Sequence, residues 1–165
     1  MTATTKGTAV VTLPADNQIL ITREFNAPAE LVYRAYTEPE LIRRWWHANR
    51  GTMTVCEVDL RVGGAWRYAM VATGGFDVGF HGTYREVVPN SRLVYTEVYE
   101  GAPDAGEDDA ALNTVELREK DGRTTVAILV EHTKPEHRDF HIESGMEHGM
   151  QDAMDMLEEI AVGLG

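Results

Sequence analysis

Cysteine is nearly absent from this chain. Cys56 is the only one among 165 residues, so no internal disulfide can hold the fold. Its place inside TMTVCEV suits a small buried hydrophobe. No apolar run approaches the roughly 20 residues of a membrane span, so insertion by a helix is not expected. The opening MTATTKGTAVVTLPA lacks the charged start, apolar core and cleavage site of a secretory leader. Residues 1–15 are therefore expected as a flexible N-terminal segment, 16–165 as a single domain, and the cytoplasm as the address. Basic residues are outnumbered: 15 Lys and Arg against 27 Asp and Glu leave a formal net charge of −12. From Asp139 to Gly165 there are seven acids and no Lys or Arg. Nucleic acid and anionic lipid surfaces, which are bound through basic residues, are poor partners for such a chain. Also missing are a nucleophile elbow, a phosphate loop, a dinucleotide fingerprint and any zinc-ligand spacing. Neither cofactor nor metal is expected, and no catalytic set can be named from motifs.

What is present is a globular composition, 43% hydrophobic and 25% charged, arranged with clear periodicities. NQILITREFNAP opens as a strand with Ile19, Ile21 and Phe25 on alternate positions, and Pro28 then starts a helix carrying Leu31, Val32 and Ala35. TEPELIRRWW follows as a second short helix, with Thr37 and Glu40 spaced as a capping box. From Thr52 the text reads as six antiparallel strands separated by turn residues. The sharpest turn signal is Asp121-Gly122. It pairs Lys120 with Arg123 and gathers Val115, Leu117, Val126, Ile128 and Val130 on one face, with His132 on the same side. The acidic segment EGAPDAGEDDA is read as a solvated loop.

A long helix, roughly Arg138 to Val162, closes the chain, with an earlier start at a Thr133–Glu136 capping box as the alternative. On a helical wheel Ile142, Met146, Gly149, Met150, Ala153, Leu157 and Ile160 share the side expected to lie on the sheet. Gly145, Gly149 and Ala153 remove bulk along its edge. Two readings stand: close packing against the strands, or room for a cavity. His137, His141 and His148 fall on the opposite side, where a solvated face explains them without a metal.

The side-by-side Trp45 and Trp46 cannot both point into one core stripe, because neighbouring helical residues diverge by about 100°. On the strands, Trp66, Tyr68 and Met70 alternate along one face. In RLVYTEVYE, one register turns Tyr95 and Glu97 inward with Leu93, and the other buries Val94, Thr96 and Val98 and leaves Glu97 in water. The spacing leaves both open.

REFNAPAELVYRAYTEPELIRRWW, EVDLRVGGAWRYAM, HGTYREVVPNSRLVYTEVYE and ESGMEHGMQDAMDMLEE together resemble, in order, the bacterial proteins similar to the C-terminal domain of the heat-shock protein 90 ATPase activator. That family belongs to the START-like, or SRPBCC, superfamily. The resemblance implies an α+β helix-grip fold: a curved antiparallel sheet wrapped around a long C-terminal helix, with two short helices after the first strand. It also implies a pocket between sheet and helix for a small apolar molecule of lipid, polyketide or aromatic class, which favours the cavity reading of the glycines. Trp46, Trp66, Tyr68, Tyr95, Glu97, Met146 and Met150 are the expected lining, with Trp46 facing the pocket and Trp45 anchoring its helix.

An enzyme of the same fold, similar to polyketide cyclases or related lyases, is the alternative. In it Glu97, helped by Tyr68 or His132, moves a proton. A third reading is a protein-interaction module using the acids Glu107 to Asp109. A co-chaperone role is not expected, since in the eukaryotic activator a separate N-terminal domain carries much of the chaperone contact. The oligomeric state is not legible.

Overall fold

The computed structural model describes residues 7–101 and 106–165, apart from the Glu107 side chain. Alternation of apolar and polar residues produces eight strands: β1 (Val10–Thr12), β2 (Gln18–Phe25), β3 (Gly51–Val58), β4 (Ala65–Ala72), β5 (Phe76–Val88), β6 (Arg92–Tyr99), β7 (Ala111–Lys120) and β8 (Arg123–Glu131). They form one antiparallel sheet in the order β1-β2-β8-β7-β6-β5-β4-β3. Helices α1 (Ala29–Thr37) and α2 (Pro39–Ile42) interrupt the strand series after β2, and α3 (Pro135–Glu143) and α4 (Met146–Leu164) close the chain. This is the α+β architecture of a curved sheet with a long C-terminal helix, the helix-grip fold. Val10–Thr12 adds an edge strand inside the segment expected to be flexible, pairing Val11 with Ile21.

The Asp121-Gly122 hairpin has the expected register, with Lys120 opposite Arg123 and Val115 opposite Ile128. Val115, Leu117, Val126, Ile128 and Val130 are all buried. Both turn residues sit at positive φ, 54° and 77°, which a primed two-residue turn demands.

Three local expectations are corrected. The capping boxes do not form: the Thr37 hydroxyl donates to the Tyr33 carbonyl at 2.7 Å, one turn back, and neither α2 nor α3 has a side-chain cap. The second short helix ends at Ile42, so Trp45 and Trp46 lie in the turn that follows it. The closing helix is also two helices. Ser144 and Gly145 break it, and Gly145 takes a left-handed φ of 81° that a residue without Cβ adopts at no steric cost.

That break re-aims α3 independently of α4, so one helical wheel drawn through both is invalid. His137 and His141, expected on a solvated face, line the interior cavity, while His148 is exposed. On α4, Met154, Leu157, Ile160 and Ala161 are buried, and Met146, Met150 and Ala153 are partly buried against the core. A Cβ at Gly145 would meet nothing within 4 Å, and one at Gly149 only the Arg50 guanidinium at 4.0 Å. The glycines therefore border open space and mark no close helix-to-sheet contact.

Arg23 fastens α4 to β2. Its guanidinium is buried, reaches Asp155 at 3.0 Å and Glu158 at 3.4 Å, and lies over the Phe25 ring. Glu158 also accepts from the Asn26 backbone N–H at 2.9 Å. Cys56 is buried, and burial raises its thiol pKa. Among the described residues no helix is long and apolar enough to cross a membrane.

Candidate functional site

Between the concave face of the sheet, α1, the turn after α2, and helices α3 and α4 lies a cavity of about 820 Å³. A volume of that order suits a drug-sized ligand. Trp46, Trp66, Tyr68, Tyr95, Glu97, Met146 and Met150 all line it. The structure therefore brings all seven expected residues together around one space. Residues that the sequence reading left out, among them Tyr36, Phe80, Tyr84, Tyr99 and Asn113, complete the wall.

The tryptophan pair divides its work. Trp45 is buried against Tyr36, and its indole N–H donates to the Ala35 carbonyl at 2.8 Å, which ties the turn after α2 to α1. Trp46 meets Tyr68 and Phe80 edge-on, each at 5.6 Å between ring centroids. Those contacts place its ring against the cavity wall.

Strand β6 takes the register that turns Leu93, Tyr95, Glu97 and Tyr99 toward the cavity. The alternative set is nevertheless buried too: Val94, Thr96 and Val98 are all covered, and Val98 also reaches the cavity wall. Inward and outward faces are both shielded here, so burial alone does not tell them apart. Pairing between His81–Val98 and Tyr84–Tyr95 sets Gly82 opposite Glu97, and on the other side Glu97 is paired with Ala111. Small residues thus flank the carboxyl across the sheet, and Tyr95 and Tyr99 flank it along the strand.

Among the described residues no side chain donates a hydrogen bond to Glu97. Desolvation without a compensating partner pushes its pKa up to about 7. Glu100, three residues on, shows what a partner does. Arg67 grips it at 2.9 and 3.0 Å and His81 reaches it at 2.7 Å, which holds its pKa at about 2.

Tyrosine hydroxyls supply further polar points. Those of Tyr36 and Tyr95 lie 3.3 Å apart, and Tyr68 bonds Tyr84. Burial raises all four above the usual phenol pKa, Tyr36 to about 12, so they stay protonated donors at neutral pH. Asn113 is 4% exposed, and among the described residues its Nδ2 has no hydrogen-bond partner. Its alternation with Val115 and Leu117 was the signal in the sequence that it faces inward.

At the end of β8, His132 Nε2 and His141 Nδ1 are 3.1 Å apart. Desolvation lowers both, His132 to about 4, so both rings are neutral at pH 7 and one donates to the other. Among the described residues no three His, Cys, Asp or Glu side chains are grouped to hold a metal ion.

The matches to known proteins agree with this architecture. Residues 26–161 match the family described as Activator of Hsp90 ATPase homolog 1-like protein. A solved structure from Rhodobacter sphaeroides is 27% identical, with a TM-score of 0.84 over 95% of this chain and 99% of that one. One from Nitrosomonas europaea is 28% identical, with a TM-score of 0.79 over 90% and 96%. A Mycobacterium smegmatis protein, 20% identical over 92% and 96% with a TM-score of 0.80, shares the fold. The chain matches no curated protein. On the family match across 26–161, the chain belongs to the Activator of Hsp90 ATPase homolog 1-like family.

Proposed function

We propose that the protein binds a small, largely apolar molecule in the cavity between sheet and C-terminal helices. The observation that carries this reading is the 820 Å³ space itself, walled by aromatic and methionine side chains with a few inward polar groups. Interiors are normally filled, and an unfilled apolar volume of this size weakens the fold unless something occupies it. Asn113 Nδ2 and the Glu97 carboxyl are the groups that orient the guest, one as a donor and the other as a partner for a donor.

Native mass spectrometry of the purified protein beside its denatured mass tests this directly, followed by a thermal-shift screen of apolar compounds. A retained molecule, or a compound that raises the melting temperature further as its concentration is increased, is the expected result. A clean unliganded mass with no stabilising compound argues for a scaffold whose partner is another protein.

One observation favours a second reading. A carboxyl with a pKa of about 7 beside buried tyrosines has the proton affinity of a general acid or base at neutral pH. In a cyclase-like or lyase-like reaction Glu97 would move the proton, with Tyr68 or His132 holding the substrate's oxygen. A pH-dependent turnover that disappears in Glu97→Gln while the fold survives is the outcome that separates an enzyme from a binding protein.

A further inference from the structure

The aromatic rings of the cavity are connected in a specific way. Starting at Tyr95, the ring contacts run to Trp66 at 5.5 Å and to Tyr68 at 4.7 Å. They continue to Trp46 at 5.6 Å, to Phe80 at 5.6 Å and to Tyr99 at 5.0 Å. The arc of six rings is unbroken, and its two ends are the residues two before and two after Glu97 on β6. Residues two apart on a strand share a face and lie about 7 Å apart. The carboxyl of Glu97 therefore closes a circle that is otherwise wholly aromatic.

Each part of that circle selects for the same chemistry. An ionised carboxylate in an apolar wall is costly unless a counter-charge meets it, and the described residues offer it none. Arg50, the one guanidinium among the described residues that reaches the cavity wall, is engaged outside with Asp152 at 2.9 Å and with the Ala48 carbonyl at 2.7 Å. Aromatic faces carry negative potential and attract cations, most strongly where water is excluded. The net charge of −12 draws cations toward the protein and repels anions.

We propose that the guest of this cavity is an organic ammonium ion with an apolar body, its positive head held inside the six-ring arc against Glu97. This rests on the reading of the cavity as a ligand site and narrows it to a charge class. A fatty acid or other carboxylate is the wrong guest, since it would set a second anion beside Glu97. A neutral hydrocarbon would leave the carboxyl unpaired.

The test uses two compounds of nearly identical shape, benzyltrimethylammonium and its uncharged carbon isostere neopentylbenzene, with the neutral dye Nile red as a general reporter of the cavity. Displacement of Nile red and quenching of tryptophan fluorescence are followed at pH 8. The cation is expected to bind at least ten-fold more tightly than the hydrocarbon. That preference is expected to disappear in Glu97→Gln, and Trp46→Leu should weaken the cation more than the hydrocarbon. Equal or tighter binding of neopentylbenzene, with Nile red still bound, would overturn the ammonium assignment and leave the cavity reading standing. Failure of Nile red and of both compounds to bind would overturn both.

Discussion

The indole N–H of Trp66 on β4 donates to the Thr96 carbonyl on β6 at 3.1 Å, passing over β5 at Gly82. The β5–β6 ladder is interrupted there, and the Thr83 N–H bonds the Thr96 hydroxyl at 2.9 Å instead. A Cβ built on Gly82 would overlap the Thr96 carbonyl oxygen, so the crossing depends on glycine. Gly82→Ala is expected to cost about 3 kcal/mol, as overpacking in a fixed core does. Trp66→Phe, which leaves the Thr96 carbonyl unpaired, is expected to cost about 2 kcal/mol. In chemical denaturation the double variant should lose less than the sum, because both changes break one crossing. Additive losses would show that indole and glycine act separately.

The two adjacent tryptophans should separate in a pair of assays. Trp45→Phe removes the donor to the buried Ala35 carbonyl and is expected to lower stability by about 1.5 kcal/mol while leaving Nile red binding near its original strength. Trp46→Leu removes a ring from the cavity wall and is expected to weaken dye binding at least several-fold at a stability cost under about 1 kcal/mol. A Trp46 variant that unfolds as readily as the Trp45 one, with dye binding intact, would make both residues structural.

Much of this architecture is legible in the sequence because local chemistry decides it. The Asp121-Gly122 turn fixes the β7–β8 register, and with it the burial of Val115, Ile128 and Val130 and the inward aim of Asn113. The long-range features are not written locally. Ser144-Gly145 reads as part of one continuous helix with a thinned edge, yet the left-handed Gly145 splits that helix and turns His141 toward His132. For Glu97 the alternation was uninformative because both faces of β6 are buried there. The six-ring arc joins residues from three strands and a turn, and no spacing in the chain announces a closed circle. Once the fold is given, Tyr95 and Tyr99 on either side of Glu97 become its plainest sign.

Arg23 provides a prediction about assembly rather than binding. It lies in the alternation of β2 between Ile21 and Phe25, fully inside, and joins that strand to Asp155 and Glu158 of α4. Truncation to Ala is expected to cost about 3 kcal/mol, since it leaves two partly buried carboxylates facing each other and removes the stem packed on Phe25. Arg23→Lys is expected to recover only part of this: Nη2 alone reaches both acids, but an ammonium gives up the guanidinium plane that lies over the Phe25 ring. Full recovery by Lys, measured in urea unfolding, would reduce the role of Arg23 to its charge alone.

Glu97 and His132 load stability in opposite directions as pH changes, and together they conceal each other. Glu97 has a folded pKa of about 7 against an ordinary value of 4.5. Below pH 4.5 it is protonated in both states and costs nothing; as pH rises to 7 the unfolded chain ionises first, and the folded state loses up to about 3 kcal/mol relative to it. His132 has a folded pKa of about 4 against 6.5. Above pH 6.5 it is neutral in both states; as pH falls to 4 the unfolded chain takes up the proton first, a loss of the same kind reduced by the partial exposure of the ring. Between pH 4.5 and 6.5 the two slopes oppose, and the native protein should show little net dependence from this pair. Glu97→Gln is expected to be more stable than the parent by about 2 kcal/mol at pH 8 and indistinguishable from it at pH 4. It should also unmask a loss of stability on acidification from pH 6.5. His132→Gln should do the reverse, with stability that falls as pH rises from 4.5 to 7. Measured by denaturant midpoints across that window, parallel curves for parent and both variants would mean that neither group is held away from water as the cavity requires.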